Sequence, residues 1–249
     1  MNADFKKRLM ERKRLIGTLL TLPSPEIAEI SADAGFDWLF LDMEHGLLDI
    51  AAVQRIVQAV GERCACIVRV PANEEMWIKK ALDTGAAGLI FPHLNTAEEA
   101  SRVAGWSRYP PEGGRSIGIA RAQGYGARLK ESIESANKNL ALIAQAEHID
   151  AVLNIEAILN VPGIDAVIIG PFDLSASLGK PGRVLDDDVQ EAIAKIRKAC
   201  IKRGIPVGIF AKNVEFAKKS LGEGYSLLCT GTDATLLSTA AVQIIQALR

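Results

Sequence analysis

The sequence predicts a single-domain (β/α)8 barrel spanning residues 1–249. Three observations lead there. The chain has 249 residues, a length that suits one such barrel. Eight short apolar or β-branched runs alternate with longer amphipathic stretches of helical period. Runs such as "WLFLDM" and "AVIIG" carry apolar residues at almost every position, as parallel strands do when both faces are covered.

Taken in order, the strands are expected at residues 16–22, 38–43, 66–70, 88–92, 140–146, 166–170, 206–210 and 226–230. The first helix opens with Ser24 as its cap and Pro25 at its first position. The next runs over 49–60, capped by Asp49, and others follow at 73–84, 96–106, 129–139, 150–159, 186–203 and 213–221. Gly35, Gly85, Gly204 and Gly224 stand where helices must end before a strand. Residues 109–126, rich in proline and glycine, form the longest irregular stretch and suggest a functional lid or disorder. The final segment, 233–249, is apolar on one face, so it closes the barrel or docks on a neighbour. A doubly wound open sheet is the architectural alternative. No G-x-G-x-x-G follows a strand, which counts against a dinucleotide-binding version of it.

Composition narrows the class. Hydrophobic residues make up 49% of the chain and charged residues 24%, enough apolar material for a large core. The formal net charge of −1, with no basic stripe, argues against nucleic-acid binding. The charged start "MNADFKKRLMERKR" lacks the apolar centre of a signal peptide, and no apolar run reaches the roughly 20 residues of a membrane helix. A cytoplasmic protein without membrane partners is expected. Cys64 and Cys66 form C-x-C, far in sequence from Cys200 and Cys229, and with three histidines no zinc spacing arises. Buried free thiols are the expected state.

Chemistry in such a barrel sits where the strands stop. Strand two stops in Asp42-Met43-Glu44-His45-Gly46, strand three in Arg69-Val70-Pro71, strand five in Gln145-Ala146-Glu147-His148 and strand six in Gly170-Pro171-Phe172-Asp173. A base, a fixed cation and two anions thus reach one rim. Glu147 and Asp173 could each give an oxygen to Mg2+ or Mn2+, leaving positions open for a chelating 2-oxo acid. Either could instead be a helix cap or a salt-bridge partner. His45 suits proton transfer near neutral pH, with Asp83 a candidate to orient it; a structural histidine and a solvated aspartate are the plainer readings. Arg69 could stabilise an enolate oxygen or sit in a core salt bridge. His93 and His148 could line the rim.

The stretches "AGFDWLFLDMEHG", "IVRVP", "IKKALDTGA", "RYPPEGGRSIG", "AQAE" and "IDAVIIGPFDLSASLG" resemble the HpcH/HpaI aldolases, metal-dependent (class II) aldolases that act on 4-hydroxy-2-oxo acids. The resemblance runs from about residue 16 to 240. It implies a divalent ion (Mg2+ or Mn2+, with Co2+ a third candidate) on Glu147 and Asp173, with Gln145 beside them. It further implies His45 paired with Asp83 as base, Arg69 on the pyruvate oxygen, and the N–H groups of Phe172 and Asp173 on the pyruvate carboxylate. The implied reaction joins a pyruvate enolate to an aldehyde, or reverses that step. A hexamer with exchanged C-terminal helices is implied as well. His93, His148 and the stretch after Gly118 depart from the family pattern, which points to them for the choice of aldehyde. Rival readings are a Schiff-base aldolase using Lys212, a thioester lyase of the citrate lyase β-subunit or malyl-CoA lyase type, a phosphate-handling barrel, and a non-enzymatic binding barrel.

Overall fold

The computed structural model describes residues 3–249. Eight parallel strands close on themselves in sequence order: β1 Leu15–Leu20, β2 Trp38–Asp42, β3 Ala65–Arg69, β4 Gly88–Phe91, β5 Ala141–Ala146, β6 Ala166–Ile169, β7 Val207–Ala211 and β8 Leu227–Thr232. Closure comes from β1 lying beside β8, with Leu15 opposite Leu227 and Gly17 opposite Cys229. The helices are α1 Ala3–Met10, α2 Pro25–Asp33, α3 Ile50–Val60, α4 Glu75–Asp83, α5 Ala97–Ser107, α6 Leu129–Asn139, α7 Ile149–Ile158, α8 Pro171–Ser177, α9 Asp187–Arg203, α10 Val214–Gly222 and α11 Asp233–Leu248. The caps read from sequence are in place. Ser24 accepts from the N–H of Ile27 at 3.2 Å and Asp49 from that of Ala52 at 2.6 Å, and Gly204 ends α9 with φ +70°, where a Cβ would be strained.

Alternation along the strands divides the core. Leu39, Leu41, Val68, Leu89, Leu142 and Val167 face the helices, while Trp38, Phe40, Ile67, Ile90, Ile143 and Ile168 fill the barrel. The interior parity of β2, β3 and β5 therefore ends in Asp42, Arg69 and Gln145, because side chains alternate with period two. At the opposite end the large Trp38 indole shares the interior with the small Ala65, Ala141 and Ala166. It donates to the carbonyl of Leu228 at 3.2 Å, and Gly17 leaves room for its ring.

Two helices went unread in the sequence. Among the described side chains of α1 Phe5 and Leu9, one turn apart, are the buried ones, too sparse a pattern to stand out among charges. They plug the barrel where its strands begin, and Lys6 fastens the plug to the carbonyl of Leu140 at 2.8 Å and to Asp165 at 3.0 Å. The other, α8, is only seven residues long.

Two expectations are corrected. Residues 109–126 are neither disordered nor, within one chain, a lid over the strand ends. Tyr109, Arg115 and Gln123 are buried, and Arg121 donates to the carbonyls of Thr84 and Val57 at 2.8 and 3.3 Å. Those carbonyls close α4 and α3, so the segment is tied to the end of the barrel where strands begin. Ionic capping of two helix ends by one arginine is not visible in local sequence. Nor does α11 close the barrel. Asp233 is its one buried residue; it accepts from Thr21 and Leu22 and roots the helix beside β1. Beyond it Leu237, Val242, Ile244, Ile245 and Leu248 are exposed.

A Cβ added at Gly17 would lie 2.5 Å from the Trp38 ring. Gly17→Ala is expected to cost about 1–3 kcal/mol through overpacking. Urea unfolding followed by tryptophan fluorescence measures it, and an unchanged midpoint would mean that the indole yields freely.

Candidate active site

The end of the barrel where the strands stop is organised around Arg69. Asp42 and Arg69 are register partners on β2 and β3. Arg69 Nε donates to Asp42 Oδ1 at 2.9 Å and Nη2 to Oδ2 at 2.7 Å, a bidentate fork that only arginine can form. Asp42 is 1% exposed and Arg69 6%. Burial opposes the Arg69 cation, but hydrogen bonding to Asp42 and the charges of Asp42, Glu44 and Glu147 outweigh it and hold the guanidinium above its ordinary value. The same Asp42 Oδ1 accepts from the N–H groups of Glu44 and His45 at 3.0 and 3.3 Å, so one carboxylate fixes both the cation and the turn that carries His45. Gly46 completes that turn, since a Cβ there would meet the Asp42 carbonyl at 2.3 Å.

Glu44 joins the two histidines to this pair. Its Oε2 lies 3.0 Å from Arg69 Nη1 and 3.9 Å from His45 Nε2, and its Oε1 lies 3.6 Å from His93 Nε2. Oε2 accepts no aligned hydrogen bond despite the short approach, so the Arg69–Glu44 contact is one of charge.

Across the rim, Glu147 is 1% exposed. One oxygen accepts from the His93 N–H at 2.8 Å and the other from Gln145 Nε2. Burial pushes its carboxyl above the ordinary range and the nearby Asp173 charge adds to the push, against the hydrogen bonds from His93 and Gln145. Gln145 Oε1 is buried with no partner. A Cβ on Gly170 would come within 2.8 Å of Glu147 Oε2, so glycine is what lets the end of β6 approach this carboxylate. A buried carboxylate, a second acidic charge and an unpaired amide oxygen form an all-oxygen set that fits a hard divalent cation. Among the described residues no group of three His, Cys, Asp or Glu side chains could hold a metal ion; two carboxylates suffice for a hard cation that keeps several waters.

His45, Arg69, Gln145, Phe172 and Asp173 line a single cavity of about 160 Å3, with Leu19, Phe40, Ile168 and Phe210 among its walls. The structure thus brings together residues from four separate strand ends, with Glu147 against Gln145 and Gly170. Asp83 is not brought to His45 within one chain. It ends α4, where strands begin rather than stop, and pairs with Arg115 at 2.9 Å. Its helix position hid this, because a helix carries its last residue to the far end of the barrel. His148 is explained locally: its Nδ1 accepts from the N–H of Asp150 at 3.2 Å, capping α7. His93 stands between two carboxylates, its Nδ1 3.7 Å from Glu147 Oε1, with φ +47°. Lys212 is exposed and lines a separate small hollow with Phe172, Phe210 and Phe216. Sequence reasoning gave no role to Asp42, Glu44 or Gly170. The interior parity of β2 and β3 would have flagged Asp42, an acid two residues beyond Phe40 and facing Arg69.

A family model described as HpcH/HpaI aldolase/citrate lyase matches residues 16–240. The chain belongs to this family. As an HpcH/HpaI protein it is a carbon–carbon lyase, in line with its aldolase-named relatives. It is 39% identical over 251 residues to a hydroxypyruvate/pyruvate aldolase of Cupriavidus necator, covering 100% of this chain and 93% of the relative. A 4-hydroxy-2-oxovalerate aldolase of Rhodococcus jostii is 39% identical over 237 residues, covering 94% of this chain and 92% of the relative. The crystal structure of an HpcH/HpaI aldolase/citrate lyase family protein from Burkholderia cenocepacia superposes with a TM-score of 0.96 at 36% identity, covering 99% of each chain.

The raised Glu147 carboxyl has a thermodynamic signature. A carboxyl whose folded value lies above its unfolded one favours the fold at acid pH, and that contribution is lost as pH rises through the folded value. In metal-free protein, Glu147→Gln is therefore expected to gain stability relative to the parent as pH rises above the ordinary glutamate range. Parallel urea midpoints for the two proteins across that rise would contradict the burial argument.

Proposed function

We propose that this HpcH/HpaI lyase reversibly cleaves a 4-hydroxy-2-oxo acid to pyruvate and an aldehyde. The observation that carries it is the single cavity in which His45, Arg69, Gln145, Phe172 and Asp173 meet beside buried Glu147. Glu147 and Asp173 would hold a divalent cation, Mg2+ or Mn2+ with Co2+ as a third candidate, which when bound supplies Lewis-acid stabilisation of enolate charge. Arg69 cannot swing away from its Asp42 fork, so its remaining N–H groups are preorganised for an oxyanion of the 2-oxo acid. The backbone N–H groups of Phe172 and Asp173 offer donors to the substrate carboxylate.

In the cleavage direction His45 removes the proton of the 4-hydroxyl. The C3–C4 bond then breaks, its electron pair passes to the pyruvate part as the enolate beside Arg69, and the aldehyde carbonyl forms. A proton delivered to C3 completes pyruvate. His45 suits this traffic because it stands at the rim, with an accessible imidazole on a turn pinned by Asp42. Asp83, bonded to Arg115 within its own chain, is given no step. A Schiff base on Lys212 is disfavoured by that residue's place outside the cavity.

Location and assembly complete the proposal. Four free, buried cysteines support a reducing, cytoplasmic setting; burial pushes the Cys64 and Cys200 thiols up to about 12, so thiolate chemistry is not part of it. Among the described residues no helix is long and apolar enough to cross a membrane. The bare apolar residues of α11 support a homo-oligomer in which that helix is exchanged between copies, and the hexamer we propose is the assembly that the family resemblance implies.

Pyruvate release from a panel of 4-hydroxy-2-oxo acids tests the reaction. EDTA should abolish turnover and Mg2+ or Mn2+ restore it; turnover untouched by EDTA would overturn the metal reading. His45→Ala should lower kcat about 100-fold or more while Mn2+ binding, followed by titration calorimetry, stays intact. Replacing Ile244 and Leu248 with lysine should lower the oligomer mass measured by light scattering, and an unchanged mass would argue against helix exchange.

A further inference from the structure

We infer that Phe40 is a positioning residue for the reaction, holding the plane of the Arg69 guanidinium; this rests on the proposed role of Arg69 in binding the 2-oxo acid. Asp42 fixes the guanidinium along one edge through Nε and Nη2. An edge contact holds the guanidinium in place but restrains the tilt of its plane only weakly, and Glu44 adds a charge contact without an aligned hydrogen bond. The missing constraint is a face. Phe40 supplies it: the Arg69 Cζ lies 5.2 Å from the centroid of its ring, within cation–π range.

The ring cannot recede. Phe40 is 4% exposed and stacks on Trp38 at 5.9 Å between centroids and 26° between planes. Trp38 is held by its bond to the Leu228 carbonyl and is backed by Phe5 of α1 at 6.3 Å. An aromatic column thus runs along the barrel from the α1 plug to the cation. Along β2 the column and the clamp are consecutive interior positions, Trp38, Phe40 and Asp42, so one strand sets both the face and the edge on which Arg69 rests. A leucine at position 40 would fill most of the same space and offer no π face.

The test is a double-mutant cycle on the Mg2+-loaded enzyme, with pyruvate as probe. The dissociation constant is read by calorimetry and the exchange of pyruvate methyl protons in D2O by NMR. Phe40→Leu should weaken pyruvate binding about 3- to 10-fold, the span a partly desolvated cation–π contact allows, with urea stability close to the parent. Phe40→Tyr, which keeps the ring face, should restore affinity. Arg69→Lys preserves a charge for Asp42 but has no plane to hold, so Phe40→Leu should have little further effect in that background. Equal losses from Phe40→Leu in both backgrounds would assign the effect to cavity size and overturn the inference. So would a Phe40→Leu protein that binds pyruvate like the parent while Arg69→Lys does not. If Arg69→Lys itself binds pyruvate like the parent, the role given to Arg69 fails instead.

Discussion

The catalytic end of this barrel depends on one ion pair, Asp42 with Arg69. Both are buried, and the arginine spends two of its N–H groups on one carboxylate. Removing one partner of such a pair costs roughly 3–5 kcal/mol, because the other charge is stranded out of water. The pair is kept for what it organises. Asp42 also receives the N–H groups of Glu44 and His45, so the position of His45 follows from the same oxygen that fixes the cation. Arg69 in turn draws Glu44 inward, and Glu44 reaches His93, whose N–H is bonded to Glu147. Strands two, three, four and five are thereby linked at the rim through Asp42, Arg69, Glu44, His93 and Glu147.

The two ends of the barrel divide the work. Where the strands begin, the interior is closed by Trp38, Phe5 and Leu9, and Arg121 ties residues 109–126 to the ends of α3 and α4. This is the stabilising end, and it holds Asp83 and Arg115. Where the strands stop, the interior turns polar because the same parity that placed Phe40 and Ile67 inside continues into Asp42 and Arg69. Burial of Glu147 follows from Gly170, which has no Cβ to keep β6 away. The raised carboxyl and the unpaired Gln145 oxygen are costs of that arrangement, of the kind that a binding site retains.

Much of this was legible beforehand. The eight strands fall within a residue or two of their expected bounds, since runs covered on both faces leave a continuous apolar signal. Ser24, Asp49 and Gly204 did what local chemistry requires of caps. His45, Arg69, Gln145, Glu147 and Asp173 could be nominated because strand ends in a closed parallel barrel meet at one rim. The pairing of His45 with Asp83 was not supported within the chain, because position along a helix decides which end of the barrel a residue reaches. The irregular 109–126 segment misled for a related reason: proline and glycine mark the absence of regular structure, not the absence of packing.

The sequence by itself determined the period of each element, the caps that begin and end them, and the residue types available at each strand end, all of which are set within a few neighbouring residues. Only the tertiary structure decided which of those residues act together. Asp42 meets Arg69 through the β2–β3 register, Glu147 meets His93 through the approach of β4 to β5, and Phe40 comes under Arg69 because both face the interior on neighbouring strands, with Phe40 two residues before the partner of Arg69. Contacts between strands depend on register and closure, and neither is encoded in the local pattern of any one strand.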